Sequence, residues 1–174
     1  VVFPGVTTTI SIGRPRSLSA AKNAHREDGE ILILVQYDPE VEEPEREDLA
    51  PIGVLANVRD LLRTSHLGVQ MLVEMRRRVL IDEIATDEPF LTATYRELDE
   101  ATDAAAPELM AEAIAYVEQY IETLGEVNRQ VLATLRGKET AGELADFLAG
   151  MLNMPFEMEL DLLSSLHGVE RLNE

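Results

Sequence analysis

The side chains on which chemistry would have to rest are two lysines, three histidines and one dense run of acids. Lys22 and Lys138 are the only lysines, so a Ser-Lys dyad would have to use one of them. No Gly-x-Ser-x-Gly elbow presents a serine, and both lysines read as solvated surface residues. Gly137-Lys138 has the ending of a phosphate loop, but Glu139 stands where a Ser or Thr must meet magnesium, and Leu132 occupies the first glycine position. His25, His66 and His167 fall at a helix end, a turn and a helix end, with no second ligand at metal-binding spacing. The chain has no cysteine, which removes thiol nucleophiles, thiolate metal sites and disulfides together.

From Asp38 to Asp48, seven of eleven residues are acidic and only Arg46 opposes them. The run lacks the spacing and central glycine of a calcium loop, and Pro39 and Pro44 point to a rigid, solvated loop instead. Glu42-Glu43 and Asp82-Glu83 are paired carboxylates of the kind acid-base catalysis uses, but adjacency does not put them in one cleft. A small hydrolase or metal enzyme built on these acids is the enzymatic reading, and it would need a convergent buried pair. Methionine usage points toward binding instead. Met151, Met154 and Met158, with Leu152 and Phe156 among them, place flexible thioethers where varied apolar partners can be gripped, although filling a helical core is the more ordinary use of such residues. Val6, Ile10, Leu67 and Met75 are the corresponding apolar candidates in the first half. The candidate client-contact set is therefore Val6, Ile10, Leu67, Met75, Met151, Met154 and Phe156, with no catalytic, cofactor-binding or metal-ligating residue.

Two kinds of element would carry these residues. Up to about residue 98 the apolar pattern is period two or short continuous runs rich in Val, Ile, Thr and Leu, which predicts strands at 7–12, 30–36, 53–61, 69–74, 78–84 and 90–98. One helix is expected among them, Ser17 to Arg26, capped by Ser17 and carrying Leu18, Ala21 and Ala24 on a narrow apolar stripe. Ser65-His66-Leu67-Gly68 reads as a turn between strands. From Ala101 the period changes: Met110, Ile114, Val117, Ile121 and Leu124 advance by four and three, an amphipathic helix entered at Pro107. Gly125 kinks or ends it before Val127, Val131, Leu132 and Leu135. Thr140-Ala141-Gly142-Glu143 has capping-box spacing ahead of Leu144, Phe147, Leu148 and Met151, and Pro155 starts a last helix with Phe156, Leu160 and Leu163 inward. The expected class is α+β: an antiparallel, barrel-like sheet domain at 1–98, a polar, alanine-rich linker at 99–106 and an all-helical domain at 107–174.

At 174 residues and 45% hydrophobic, the chain can bury a core. Its formal charge of −18 is spread over both halves and repels phosphate backbones and anionic lipid, so no nucleic-acid or membrane partner is expected. Arg76-Arg77-Arg78 is the one basic cluster. No apolar run reaches the length of a membrane span, no signal peptide is recognisable at the start, and cysteine-free composition fits a reducing cytoplasm. The abrupt start on an apolar strand, without an initiator methionine, reads as a fragment that continues at both ends.

Several of these segments, in this order and spacing, resemble the amino-terminal domain of the Lon family of ATP-dependent proteases. Val1-Val2-Phe3-Pro4-Gly5 resembles its strand and Phe-Pro-Gly turn, and Ile10-Ser11-Ile12-Gly13-Arg14 its strand ending in Gly-Arg before a helix with Ser17 and Ala21. The run from Ile31 through Gln36-Tyr37-Asp38-Pro39 resembles the family's buried strand leaving through Gln-x-Asp-Pro. Glu42-Glu43-Pro44 with Asp48-Leu49 resembles its acidic loop, Ile52-Gly53-Val54-Leu55-Ala56 its next strand, and Val73-Glu74 with Arg78 its hairpin arm. Glu143-Leu144-Ala145-Asp146 and Pro155-Phe156-Glu157 are similar to its Leu-Ala-Asp helix and the Leu-Pro that follows. The chain departs from the pattern at Met75, where the family usually has glycine, and at Ser65 to Gly68, which replaces a Pro-Asp-Gly tip.

The resemblance implies a PUA-like β domain followed by a helical domain, acting as a non-catalytic substrate-recognition and assembly module of an ATP-dependent Ser-Lys protease that degrades misfolded and regulatory proteins. It implies unfolded or damaged protein clients and a homo-oligomer, a hexamer in the full-length protease. ATP and magnesium would belong to segments that these residues do not include. A stand-alone Lon-domain interaction protein is the alternative.

Overall fold

A computed structural model describes residues 1–27, 29–64, 68–85, 89–99, 106–123 and 129–174. Two compact units emerge, Val1–Leu98 and Asp99–Glu174.

The first unit is a five-stranded antiparallel sheet of β1 (Thr7–Ile12), β2 (Glu30–Ile33), β3 (Ile52–Thr64), β4 (Gly68–Ala85) and β5 (Thr92–Glu97), with α1 (Pro15–Arg26) between the first two strands. The strands run in the order β1-β4-β3-β2, and β5 joins β4 farther along, pairing Val79 with Glu97 where β1 has paired Thr7 with Glu74. Sequence periodicity predicts two strands, at 69–74 and 78–84, where the structure has one strand of 18 residues. The cause is a bulge: Leu55 pairs with Arg77 and Ala56 with Met75, leaving Arg76 unopposed. Met75 continues the inward alternation of Met71 and Val73, and the extra residue then breaks it, so Arg76 and Arg77 are both exposed and Arg78 and Val79 are both buried. The basic cluster is thus a bulge whose charges are answered locally, Arg76 by Glu74 at 2.7 Å and Arg77 by Glu97 at 2.9 Å.

From Ile52 to Ala56 every residue of β3 is buried, because both faces are covered. Leu55, Val79 and Ile81 form a cluster against which Leu32, Leu34, Ile84 and Ala93 pack. Ala21 and Ala24 of α1 are buried in the same unit. The helix begins two residues earlier than Ser17. Its N-cap is Arg14, without a side-chain cap, and Pro15 supplies a preset helical φ at the first turn. Serine is therefore not the cap. Gly5 closes the Phe-Pro-Gly turn at φ 74°, a conformation that side chains rarely adopt, and donates its N–H to Met75 O at 3.0 Å while Phe3 is buried.

The second unit is helical: α2 (Ala106–Thr123), α3 (Arg129–Arg136), α4 (Ala141–Met151), α5 (Phe156–Ser164) and α6 (Gly168–Asn173). The change from period two to 3.6 therefore marks a real change of architecture. Thr140 caps α4, its hydroxyl accepting from the Glu143 N–H at 3.1 Å. Glu143 returns a carboxylate to the Glu139 N–H at 3.0 Å, one residue outside a standard capping box. Leu135, Leu144 and Leu163 are among the largest fully buried side chains of the described residues. Pro155 is the N-cap of α5 rather than its first helical residue. Phe156, the first residue of the helix, is 40% exposed, contrary to the inward position expected from sequence, while Leu162 and Leu163 hold the other end of the helix in the core. The expected positions of Leu124, Gly125, Val127 and most of the 99–106 linker lie outside the described residues.

Candidate functional site

Two concave or apolar surfaces qualify, one in each unit. In the first unit, Ile10 and Ile12 of β1, Leu32 and Leu34 at β2, Ile84 of β4 and Ala93 of β5 wall a groove of about 790 Å³, with α1 along one side. Several of these side chains also pack on the Leu55 cluster. The groove is thus the unfilled part of the sheet interior, and its walls are half-buried core residues. Asn23, Ser17, Arg16 and Tyr95 supply polar atoms at its margin.

The acidic loop beside it is pinned in place. Arg14 donates to Gln36 Oε1 at 2.7 Å, Pro39 O at 3.0 Å and Val41 O at 2.9 Å. Gln36 Nε2 donates to Asp38 O at 2.5 Å and Val41 O at 2.7 Å. The loop base closes through the Tyr37 N–H to Asp48 O at 2.9 Å and the Gln36–Leu49 bridge. A short 3₁₀ turn at Arg46–Asp48 has a reciprocal capping box between Glu45 and Asp48, and Arg46 donates to Leu49 O at 3.0 Å. These contacts spread the carboxylates around a backbone frame. No group of three or more acids or histidines able to hold a metal ion occurs among the described residues.

In the second unit the apolar candidates are exposed side chains. Met151 is 49% exposed, Leu152 54%, Phe156 40% and Met158 43%, all within eight consecutive positions at the α4–α5 corner, with Met154 half-buried between them. The buried residues of α5, Leu162 and Leu163, lie at its far end. Tyr116 and Tyr120, four apart on α2, are also exposed.

The same unit holds a buried ion pair. Arg171 Nε of α6 is 3.2 Å from Asp146 Oδ1 of α4, with side-chain exposures of 1% and 4%. Arg171 Nη1 also donates to Ser165 O at 2.8 Å, tying the α5–α6 connection to α4.

The family-model match is to the ATP-dependent protease La (LON) substrate-binding domain, over residues 1–174. This chain belongs to the Lon substrate-binding domain family. Lon protease 4 of Sorangium cellulosum is 34% identical over 181 residues, covering 99% of this chain and 21% of that protein. The Lon proteases of Halothermothrix orenii and Brevibacillus choshinensis are 32% and 28% identical, covering 100% and 99% of this chain. The chain thus spans about a fifth of the length of the relatives it matches. The N-terminal domain of a Mycobacterium avium complex Lon protease has the same fold, with a TM-score of 0.76 at 20% identity, covering 99% of this chain and 89% of that one. The matched region is the substrate-binding domain, and the 174 residues contain neither a phosphate loop nor a Gly-x-Ser-x-Gly elbow.

Within this Lon domain the sequence-derived candidates separate. Met151 and Phe156 are exposed, Met154 is half-buried, and the three share one corner. Ile10 is half-buried and walls the groove. Val6 is half-buried next to the Phe-Pro-Gly turn, its carbonyl accepting from the Met75 N–H at 2.9 Å. Met75 itself is 1% exposed: it continues the inward alternation of Met71 and Val73, so it offers no surface. Leu67 lies outside the described residues. Lys138 is half-buried, with its Nζ 5.0 Å from the centre of the Phe147 ring, rather than a freely solvated lysine. The groove walls at Leu32, Leu34 and Ile84 are absent from the candidate set. For Leu32 and Leu34 the signal is the continuous apolar run at 31–35, which marks burial on both faces without saying that one face is only partly filled.

Proposed function

We propose that this Lon domain is the non-catalytic recognition and assembly module of an ATP-dependent protease, and that it holds exposed apolar segments of unfolded or damaged proteins at the α4–α5 corner. The observation that carries this reading is the exposure of Met151, Leu152, Phe156 and Met158 within eight consecutive positions in a family defined by substrate binding. Native soluble surfaces seldom gather large apolar side chains in this way without a partner, and thioethers adapt to many shapes. In this reading residues 1–98 and 107–174 are two subdomains joined by the 99–106 linker. The complete protein is a cytoplasmic homo-hexamer that supplies ATP hydrolysis and cleavage. One corner gives micromolar or weaker affinity, and six in a ring supply avidity.

The test is a methyl NMR titration of the 174-residue chain with a permanently denatured client. Shifts at Met151, Met154 and Met158, abolished by Met151→Asp without change in the dispersed spectrum, are the expected result. Unchanged methionine methyls at saturating client would refute the corner as the site.

A further inference from the structure

The acids around the corner have a consequence for which clients it takes. Between Glu139 and Glu170 there are seven acidic residues and no lysine or arginine. On α5, Leu162 and Leu163 point inward, so the opposite side of the helix carries Glu157 and Asp161, four apart and both exposed. Phe156 and Met158 are each about 100° to one side of Glu157 on the helical wheel. The outward face of α5 is therefore a pair of carboxylates flanked by two exposed apolar side chains. Neither carboxylate has an ion-pair partner among the described residues. The wider field agrees with the local one, at a formal charge of −18.

We infer that the α4–α5 corner of this chain selects cationic apolar segments, in which lysine or arginine alternates with leucine, phenylalanine or similar side chains, over neutral or acidic segments of equal hydrophobicity. The inference rests on the client-binding reading above and names the chemical class of client. A basic residue of the client meets Glu157 and Asp161 while the apolar residues on either side of it meet Phe156 and Met158. An acidic segment meets the same carboxylates as like charges, and the net field slows its approach. The unit already holds a cation against its own aromatic surface, Lys138 over Phe147.

Three short synthetic peptides with the same leucine and phenylalanine positions test this, one with lysine, one with serine and one with glutamate between them. Each is titrated into the 174-residue chain by fluorescence anisotropy, with methionine methyl spectra as the map. The expected order of affinity is lysine, serine, glutamate, at least tenfold from first to last at about 50 mM salt and compressed at about 500 mM. Glu157→Gln with Asp161→Asn should weaken the lysine peptide about fivefold and leave the serine peptide within twofold. Equal affinities for all three peptides, with shifts at Met151 and Met158, would overturn the charge selection and leave client binding standing. A lysine preference that the double variant does not alter would overturn the assignment to these two carboxylates. Absence of binding by every peptide and by a denatured protein would remove both readings.

Discussion

The groove of the sheet unit and the corner of the helical unit both present apolar side chains, but only the groove is made from its own core. Leu32, Leu34, Ile84 and Ala93 wall the groove and simultaneously pack on Leu55, Val79 and Ile81. Altering one of them changes stability and surface together. Phe156 and Met158 are exposed at the start of α5, whereas Leu162 and Leu163 are buried at its other end, so the corner can be changed without opening the core. A surface that must vary with clients is better placed where packing does not constrain it, which favours the corner as the adaptable site and the groove as a fixed one.

The largest expected effect comes from removing the buried ion pair of the helical unit. Asp146→Ala would leave the Arg171 guanidinium buried without its carboxylate, and the expected loss is about 3–5 kcal/mol in the helical unit. Urea unfolding followed at methyl groups of both units should show Leu144 and Leu163 lost early while Val54 and Val73 hold. Asp146→Leu with Arg171→Met should recover most of the loss, since an apolar pair of similar volume needs no charge compensation. A single Asp146→Ala loss below about 1 kcal/mol would mean that apolar contacts alone seat α6 on α4.

The next largest effect belongs to the sheet. A Cβ placed on Gly53 would fall 2.9 Å from the Ile33 carbonyl oxygen and 2.6 Å from Leu34 Cδ2. Backbone cannot yield as a side-chain tip can, so Gly53→Ala should displace β2 and cost about 1–3 kcal/mol. The same shift moves Leu34, a groove wall, so the groove should change in step with the urea midpoint. Unaltered stability would show that β2 can slide freely, and that the groove is less fixed than the corner.

These two sites also show what could be read before the structure. Period two against period 3.6 located sheet and helices, because periodicity reports one buried face and needs no knowledge of partners. The long strand β4 was split in the sequence reading because the bulge at Arg76 breaks the period while hydrogen bonding continues through it. Met75 is buried simply because it keeps the alternation of Met71 and Val73 ahead of the bulge, whereas Met151 and Phe156 stand out in sequence as large apolar residues next to a proline-broken helix end. Asp146 is legible as an oddity, an acid within Leu144-Ala145-Asp146-Phe147, but its partner is 25 residues away at Arg171 and only folding joins them. Arg14 was equally invisible as the anchor of a loop that begins 24 residues later.

Arg14 supplies a smaller test on the sheet side. Arg14→Ala removes donors to Gln36, Pro39 and Val41, but the carbonyls at this margin can turn to water, so about 1–2 kcal/mol is expected rather than the cost of a buried orphan. Amide exchange should accelerate through Asp38–Asp48 and stay unchanged in β3 and β4. Exchange rates in the loop that match the parent chain would show that the Glu45–Asp48 capping box is sufficient to hold it.

The smallest expected effect is electrostatic and lies on the hairpin arm. Glu74 accepts from Arg59 Nε at 2.8 Å and from Arg76 Nη1 at 2.7 Å, and these hydrogen bonds hold its carboxyl below the ordinary glutamate range. A carboxyl with a depressed folded pKa binds protons less readily folded than unfolded, so its contribution is present above the unfolded value and is lost as pH falls through the folded one. The group is open to solvent and salt, which keeps the contribution small. Glu74→Gln should therefore lower the unfolding midpoint slightly at neutral pH, and the difference from the parent should vanish in acid and shrink in concentrated salt. A difference that persists after Glu74 is protonated would mean that Arg59 and Arg76 are held by the shape of the two bulges, Arg59 on β3 and Arg76 on β4, rather than by charge. The arm would then owe its geometry to backbone register, as the groove does, and only the helical corner would be governed by its acids.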